Sequence, residues 1–354
     1  MSAATCASAS SVVHLVQGET AAGTLRRLGD ITIAWTPDNL AYGPCATGVA
    51  EHRRIREAFW KHEVAQWPAT SRWSIPELSG PGRIHMGRSR LAPWLPLEGV
   101  QEVVIWSSVH WPDFLFGAWA IAGLKSLGFR RSIRLAGPAE PGVAVAWMSV
   151  EMAHAALSRS RTLRAREVQT YAAAYRAYCG HSPPAVVAGL VAPPWSADST
   201  QALVKAFLAL LPRRHDERRM RLSCVDEALL SRLSVEERRG RRDIFGDGQL
   251  NDVVAMYGEL AETRLWKWAA LGRGRFVEGR IEDQSGRRQA VYRLTQKGVE
   301  LLEQGLERVS DVPALQVGGC DAYGSGQTWE WAESAPEPTF YRWYPQRSRK
   351  PDRK

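Results

Sequence analysis

Glycine and polar residues with the spacing of a ligand site lie at one early turn of the chain. The stretch VVHLVQGETAAGTLRRLGD runs from an apolar segment through Gly18 into a helix-like segment. Gly18 and Gly23 have the spacing of a phosphate-binding P-loop, but Thr24 replaces its lysine and Leu25 its Ser or Thr. That lysine neutralises terminal phosphates and that hydroxyl binds Mg²⁺. The turn therefore argues against P-loop nucleotide hydrolysis, and it also lacks the GxGxxG fingerprint of dinucleotide-binding folds.

Two interpretations of this turn stay open. Gly18 permits a tight turn, Thr20 can cap the helix that follows, and the free N–H groups of a helix N-terminus favour an anion. Glu19 can instead occupy those N–H groups with its own carboxylate. His14 precedes the turn within an apolar strand, where a buried, hydrogen-bonded histidine and a ligand contact are both consistent with the sequence. These four residues are candidate ligand-binding residues.

Two later turns carry further candidates. Asp38 lies in a turn bounded by Pro37 and Gly43, where it either forms an Asx-type turn or faces a ligand. Asp38 and Gly43 therefore join the candidate ligand-binding set. His110 and Asp113 are spaced closely enough to pair, and together with Asp38 they are the candidate catalytic residues for acid–base chemistry.

The elements that must position these residues alternate between strand and helix. Four segments rich in β-branched and apolar residues read as buried strands, namely VVHLV, DITIAW, EVVIW and SIRLAGP. Helical segments separate them, which predicts an α/β fold with a parallel sheet. Ligands in such sheets bind beyond the carboxyl ends of the strands. The three turns, Gln17–Thr20, Thr36–Pro44 and Ser107–Asp113, are therefore expected at one edge.

The remaining sequence predicts further units with the following boundaries. The chain divides into a disordered tail (1–11), an α/β domain (12–140), a helical segment packing on it (141–212), a winged-helix-like domain (213–308), a Trp/Gly-rich β appendage (309–345) and a basic disordered tail (346–354).

The segment from 213 to 308 resembles a winged-helix domain. An amphipathic helix with Ser223 as its N-cap and two further helices precede two strands around the turn DQSGRR, and Thr295 caps a closing helix. On this interpretation Arg280, Arg287 and Arg288 form the nucleic-acid-binding surface of the wing. The preceding helices are not strongly basic, so nucleic-acid contact is not favoured over a structural or interaction role.

The opening also resembles a bacterial family, domain of unknown function eighteen-thirty-five. The residues that carry the resemblance are His14, Gly18, Glu19, Asp38, Leu40, Gly43 and Pro44. The segments LSCVDEALL, YRLTQKG, VGGC and WEWAE are similar to its C-terminal partner domain, thirty-six fifty-eight. Members carry a cluster resembling Trp-x-Glu-His-Asp-x-x-Asp-Gln after the third strand. Here that stretch is WSSVHWPDF, in which the acid–His–acid core is replaced and Asp113 is kept.

Composition sets limits on the class of protein. The 354 residues carry a formal net charge of +9, but the tail RWYPQRSRKPDRK supplies much of it, which weakens a nucleic-acid interpretation. The five cysteines form no CxxC pair, so neither a disulfide framework nor a cysteine zinc site is indicated. The longest apolar run, Phe114–Leu124, is too short to span a bilayer, and the N-terminus lacks a signal-peptide pattern. A cytoplasmic protein without membrane contact is expected.

Two hypotheses follow from the sequence. In the first, the α/β domain binds, and in one version transforms, a small anionic or nucleotide-like ligand at the sheet edge. In the second, the protein is regulatory and uses its winged-helix module to contact nucleic acid or a protein partner. The sequence indicates no metal and identifies no cofactor, substrate or reaction.

Overall fold

The structure describes most residues of each predicted domain. The computed structural model describes residues 11–66, 97–140, 143–192, 194–216, 219–240, 243–244, 258–271, 275–284, 287–307, 311–323, 328–333 and 337–343. Most of both predicted disordered tails, and most of the helix predicted at Leu250–Leu260, lie outside these residues.

Helices and strands alternate through the first half, and strands dominate the end of the chain. The described helices are α1 (Glu19–Leu25), α2 (Val49–Ala65), α3 (Trp111–Ser126), α4 (Val150–Ser158), α5 (Ala165–Cys179), α6 (Pro183–Val191), α7 (Ala197–Leu208), α8 (Cys224–Ser231), α9 (Gly258–Ala270) and α10 (Gln296–Gln304). The described strands are β1 (Val12–Gln17), β2 (Thr32–Thr36), β3 (Gly43–Pro44), β4 (Glu102–Trp106), β5 (Ser132–Ala136), β6 (Arg161–Thr162), β7 (Arg213–Arg214), β8 (Met220–Arg221), β9 (Arg239–Gly240), β10 (Val277–Gln284), β11 (Arg287–Leu294), β12 (Leu315–Gly318), β13 (Cys320–Tyr323), β14 (Thr328–Ala332) and β15 (Thr339–Trp343).

The predicted parallel sheet is present. Its strand order is β2-β1-β4-β5-β6, in which the first four strands are parallel and the short β6 runs antiparallel to β5. Because β1, β2 and β4 run in the same direction, the three turns that carry the candidate residues begin at one edge of the sheet. The predicted α/β class is confirmed for this half of the chain.

Side chains alternate between the two faces of this sheet, as the pleat of a strand requires. Val13, Leu15, Val103 and Ile105 pack into the larger apolar cluster, which includes residues of α3 and α5. Val16, Val104 and Trp106 point to the opposite face, where they pack with residues of α1 and α4. The sheet is therefore covered on both faces, which explains why its strands are apolar throughout.

The first helix begins differently from the prediction. Thr20 was expected to cap it, but α1 starts at Glu19, and Gly18 occupies the N-cap position with φ of 84° and no side-chain cap. Thr20 lies inside the first turn and its side chain is exposed. The expectation was wrong because the positive φ of Gly18 turns the chain directly into the helix, two residues earlier than a cap at Thr20 would allow.

The predicted helical segment is also present. Helices α4 to α7 run through it, and Pro183 and Pro184, which end the α5 pattern, stand at the first positions of α6. Proline is favoured there because the first helical N–H groups have no partner within the helix.

The C-terminal half contains small sheets that join distant parts of the chain. β10, β11 and β9 form one antiparallel sheet, next to α8, whose N-cap is Ser223, and α10, whose N-cap is Thr295. β12 pairs in parallel with β3, and β14 pairs in parallel with β7. The aromatic-rich appendage is therefore hydrogen-bonded to two strands from earlier in the chain, β3 and β7.

Within the described ranges, no helix combines the length and the apolar character that crossing a bilayer requires.

The junction between β3 and β12 depends on Gly43. Its φ is +79°, and a Cβ placed there would lie 2.6 Å from the Phe59 ring. We expect Gly43→Ala to lower the free energy of unfolding by about 2 kcal/mol or more, because it combines left-handed strain with a steric clash. Urea denaturation measures this change.

The matched control is Gly23→Ala in α1, where a Cβ meets nothing within 4 Å. This variant should be neutral or stabilising by up to about 1 kcal/mol. Equal destabilisation by both variants would contradict the role given to Gly43.

Candidate functional site

A cleft of about 330 Å³ lies where the first and last parts of the chain meet. The loop after β2 and helix α2 form one side, and helix α9 with the β12–β13 hairpin forms the other. Its ionisable and amide-bearing lining residues are His62, Glu63, Arg264, Lys267, Gln316 and Asp321. The volume falls at the lower end of the range found for small-molecule sites, and a few polar groups among aromatic residues are typical of such sites.

The first wall is held by a buried ion pair between Arg56 and Asp38. Arg56 Nε donates to both carboxylate oxygens of Asp38, at 3.1 and 3.0 Å, and both side chains are fully buried. Trp60 Nε1 donates to the same carboxylate at 2.6 Å. Arg56 Nη1 donates to the carbonyls of Tyr42 and Pro44. One guanidinium therefore fixes the path of the loop that forms this wall.

The opposite wall is held by a second pair of the same kind. Arg264 donates from Nε and Nη2 to the two oxygens of Asp226, at 2.7 and 2.8 Å. Trp268 Nε1 donates to Asp226 at 2.9 Å. Arg264 Nη1 donates to the carbonyls of Pro313 and Ala314, at 2.7 and 3.0 Å. The second guanidinium therefore fixes the chain just before β12.

Both arginines keep their charge despite burial. Burial alone would lower the pKa of Arg56, but the Asp38 carboxylate outweighs that effect and the pKa lies above its ordinary value. The same opposition between burial and Asp226 raises the pKa of Arg264. Each cation is balanced by a carboxylate in direct contact, so neither arginine adds net charge to the cleft.

A third ion pair crosses directly from one wall to the other. Lys267 Nζ on α9 lies 2.6 and 2.7 Å from the two carboxylate oxygens of Glu63 on α2. Both side chains line the cleft, and the Lys267 side chain keeps about a fifth of its surface exposed. This contact joins two helices that are far apart in the sequence.

Three polar side chains of the lining have no hydrogen-bonding or ionic partner among the described residues. Asp321 and Gln316 are register partners on the β12–β13 hairpin, both are half-buried, and neither side chain forms a hydrogen bond or ion pair with a described residue. Tyr42 also lines the cleft, and its buried hydroxyl has no hydrogen-bonding partner among the described residues. Burial raises the pKa of this phenol well above its ordinary value, with Asp226 adding to the effect, so Tyr42 is neutral.

The candidate residues proposed from the sequence fall into separate environments. Gly43 lines the cleft, whereas the Asp38 carboxylate is enclosed by Arg56 and Trp60. Asp38 thus follows the second strand as expected, but its bonds favour a structural role. It does not meet Glu19, which is exposed at the start of α1.

His14 lies on the sheet face covered by α1 and α4. Its Nδ1 accepts a hydrogen bond from Trp106 Nε1 at 3.1 Å. Burial lowers the pKa of His14 to about 4, with Arg134 acting in the same direction and Glu102 against it. His14 is therefore a neutral, hydrogen-bonded core histidine, the first of the two interpretations given above.

His110 and Asp113 do come together, after β4. The Asp113 carboxylate accepts hydrogen bonds from Ser108 Oγ at 2.8 Å and from the Val145 backbone N–H at 2.7 Å. Burial raises the pKa of Asp113, and the nearby His110 and both hydrogen bonds oppose that rise. The His110 ring lies 5.2 Å from the ring of the half-exposed Trp147. An acid–base role for this pair stays a prediction.

The arginines predicted for the wing do not form a continuous basic surface in the described part of the β10–β11 hairpin. Arg280 donates to Glu282, and Arg288 stands opposite Asp283 in the β10–β11 register. Arg287 is paired through its backbone with Gln284, and its side chain lies outside the described atoms. Charges of both signs alternate here, which is unlike the electrostatics of a DNA-binding wing.

Helix α9, which precedes the β10–β11 hairpin, packs against the rest of the protein. Residues Ala261 to Leu265 and Trp268 are all buried. Its two basic residues, Arg264 and Lys267, contact Asp226 and Glu63 as described above. A helix with this burial cannot enter a DNA groove without leaving its present position.

Sequence reasoning missed the residues that form the cleft. Arg56 and Glu63 come from a segment for which no element was predicted. Arg264 and Lys267 come from a helix predicted for the winged-helix-like domain, and Asp321 comes from the predicted appendage. One signal was present: in both helices a tryptophan follows the buried arginine by one helical turn, as Arg-x-x-x-Trp. That spacing puts both side chains on one face of a helix, where they can share a partner.

Comparisons with family models and with curated proteins give no match to this chain. The resemblance to the family of unknown function therefore stays a prediction. Across the described ranges, no group of three or more His, Cys, Asp or Glu side chains is arranged to hold a metal ion.

The buried ion pairs make a prediction about stability. Arg264→Met should lower the free energy of unfolding by about 3–5 kcal/mol, because it leaves Asp226 buried without its partner. The matched control is Arg275→Met, which breaks the exposed pair with Asp311 and should cost about 1 kcal/mol or less. Urea denaturation of both variants measures the difference. Similar losses in the two variants would show that burial gives the first pair no special weight.

His14 makes a prediction about pH. Its pKa is lowered from 6.5 to about 4 in the folded protein. Because the folded state resists protonation, its contribution to stability is complete above pH 6.5 and is lost as the pH falls towards 4. His14→Phe should therefore flatten the loss of unfolding free energy across that window, measured by urea denaturation at several pH values. An unchanged slope, after allowing for a uniform offset, would contradict a neutral His14.

Proposed function

We propose that this protein binds a small polar molecule in the cleft between α2 and α9. The observation that carries the proposal is the composition of the cleft wall. Charged and amide side chains converge there from opposite ends of the chain, and two of them, Gln316 and Asp321, are not engaged with any described residue. Partly exposed polar groups that bond no protein partner can exchange their water for the polar groups of a ligand.

The construction of the walls supports binding at this place. Backbone loops carry the cleft-facing residues Tyr42, Gly43 and Leu315, and a buried guanidinium fixes each loop. Walls held by bidentate ion pairs change little when a ligand enters, which lowers the entropic cost of binding. A preformed site is the usual condition for small-molecule recognition.

The sheet edge, where we expected an anionic or nucleotide-like ligand, is a second candidate. Gln17 Oε1 and Asn39 Nδ2 lie near the ends of β1 and β2, and both are buried without a hydrogen-bonding partner among the described residues. The Gln17 oxygen would accept a hydrogen bond and the Asn39 amide would donate one, so a ligand group reaching either buried atom would satisfy it. The helix that begins at this edge, α1, is short and its first turn already carries the exposed Glu19.

The interaction hypothesis takes a specific form. We propose that α8, α9 and the sheet in the order β10-β11-β9 form a winged-helix module. The burial of α9 and the mixed charges of the wing support an internal docking role for it, against the α/β domain, rather than nucleic-acid binding.

The cytoplasm is the compartment we propose. The described cysteines Cys45, Cys179, Cys224 and Cys320 are free thiols. Burial raises the pKa of each of them, so they are protonated and of low reactivity, as structural thiols in a reducing compartment are.

A blocking variant tests the proposed function. A fragment library spanning acids, amines, sugars and nucleotides is screened by ligand-observed NMR against the native chain and against Gln316→Trp, whose indole should fill the cleft. Fragments that bind the cleft should lose at least about 90% of their saturation-transfer signal, because the volume they need is occupied. The control is Gln289→Trp on β11, outside the cleft lining. A screen in which every hit survives Gln316→Trp would overturn the proposal.

A further inference from the structure

We infer that the cleft selects a small organic cation, a protonated amine with an apolar body, and that Asp321 is its counter-ion. This inference rests on the proposed function and gives the ligand its chemical class. It replaces the anionic ligand expected from the sequence with one of the opposite charge.

The charges of the cleft do not cancel. Arg264 is neutralised by Asp226, with which it makes two charge-assisted hydrogen bonds. Lys267 is neutralised by Glu63 through contacts to both carboxylate oxygens. Asp321 is left over, since it forms no ion pair with a described residue. Among the described residues, the carboxylate, ammonium and guanidinium groups of the cleft therefore leave one negative charge unbalanced, that of Asp321.

The position of Asp321 makes this charge selective. Asp321 and Tyr323 are two residues apart on β13, so their side chains project from the same face of the hairpin. Both line the cleft. Asp321 is half-buried, so its charge is screened less than that of a surface carboxylate. An anionic ligand would have to approach this charge, whereas an ammonium group gains a charge-assisted hydrogen bond.

The rest of the wall fits the remainder of such a ligand. Phe59, Leu315 and the ring of Tyr42 supply apolar and aromatic surface. Phe59 already has the Arg56 guanidinium 4.7 Å from its ring centroid, so this ring environment accommodates positive charge. Gln316, opposite Asp321 in the register, offers an amide to a hydroxyl or carbonyl of the ligand.

The inference is tested with three probes of one size and three charges: benzylammonium, benzyl alcohol and benzoate. Dissociation constants are measured by NMR titration at about pH 8, where histidines are neutral and the amine is protonated. Benzylammonium should bind about tenfold or more tightly than either of the others. Asp321→Asn should weaken benzylammonium about tenfold, the loss expected for one charge-assisted hydrogen bond.

Two further variants control for unspecific effects. Asp283→Asn removes the same charge from the exposed β10–β11 hairpin, and it should leave benzylammonium binding within about twofold, because exposed charges at a distance are screened. Asp321→Lys should reverse the preference, so that benzoate binds more tightly than benzylammonium. A preserved melting temperature establishes that each variant is folded.

The outcomes separate this inference from the proposed function. Failure of benzylammonium to bind, equal binding of benzoate, or an unchanged affinity in Asp321→Asn would each overturn the cation assignment. If fragments of another class still bind and are lost in Gln316→Trp, the proposed function stands and only the ligand class is wrong. If no fragment is lost in Gln316→Trp, both fail.

Discussion

The structure depends on keeping two arginine side chains charged inside the protein. A guanidinium has five N–H donors and cannot lose its proton, so a buried one needs a carboxylate and several further acceptors. Arg56 and Arg264 each obtain two carboxylate contacts and two or more loop carbonyls. The loop carbonyls cannot move without leaving N–H groups unbonded. Each arginine therefore converts an irregular loop into a rigid wall, which a small apolar side chain could not do.

This constraint explains how the end of the chain is joined to its beginning. Arg56 fixes the loop that becomes β3, and Arg264 fixes the residues before β12, so the two strands are held ready to pair in parallel. The Glu63–Lys267 contact then joins the helices from which the arginines project. Three ionic contacts and the short β3–β12 pairing together form the interface between the early and late parts of the chain. The cleft is the space in this interface that the side chains do not fill.

The sequence predicted features that depend on neighbouring residues, but not contacts between residues far apart in the chain. The four parallel strands, the caps Ser223 and Thr295 and the β10–β11 hairpin were predicted because their signals lie within a few residues. The cleft was not, since Glu63 and Lys267 are 204 positions apart. Asp38 was singled out for its turn, but its partner Arg56 lies on a helix whose other arginines, Arg53 and Arg54, are exposed. Nothing local distinguishes the buried arginine except the tryptophan one turn later.

The contacts that hold helix α9 in the fold also prevent it from contacting nucleic acid. In a winged-helix arrangement the helix before the wing would be the one to contact nucleic acid. Here its two basic residues form ion pairs with Asp226 and Glu63, and exposing them would leave both carboxylates without their cations. Leaving Asp226 buried without its cation costs about 3–5 kcal/mol. The Asp226 pair keeps α9 against α8, and the Glu63 pair keeps it against α2 of the α/β domain. Asp321 is the cleft carboxylate that these pairs leave without a cation, and the proposed cation site rests on it.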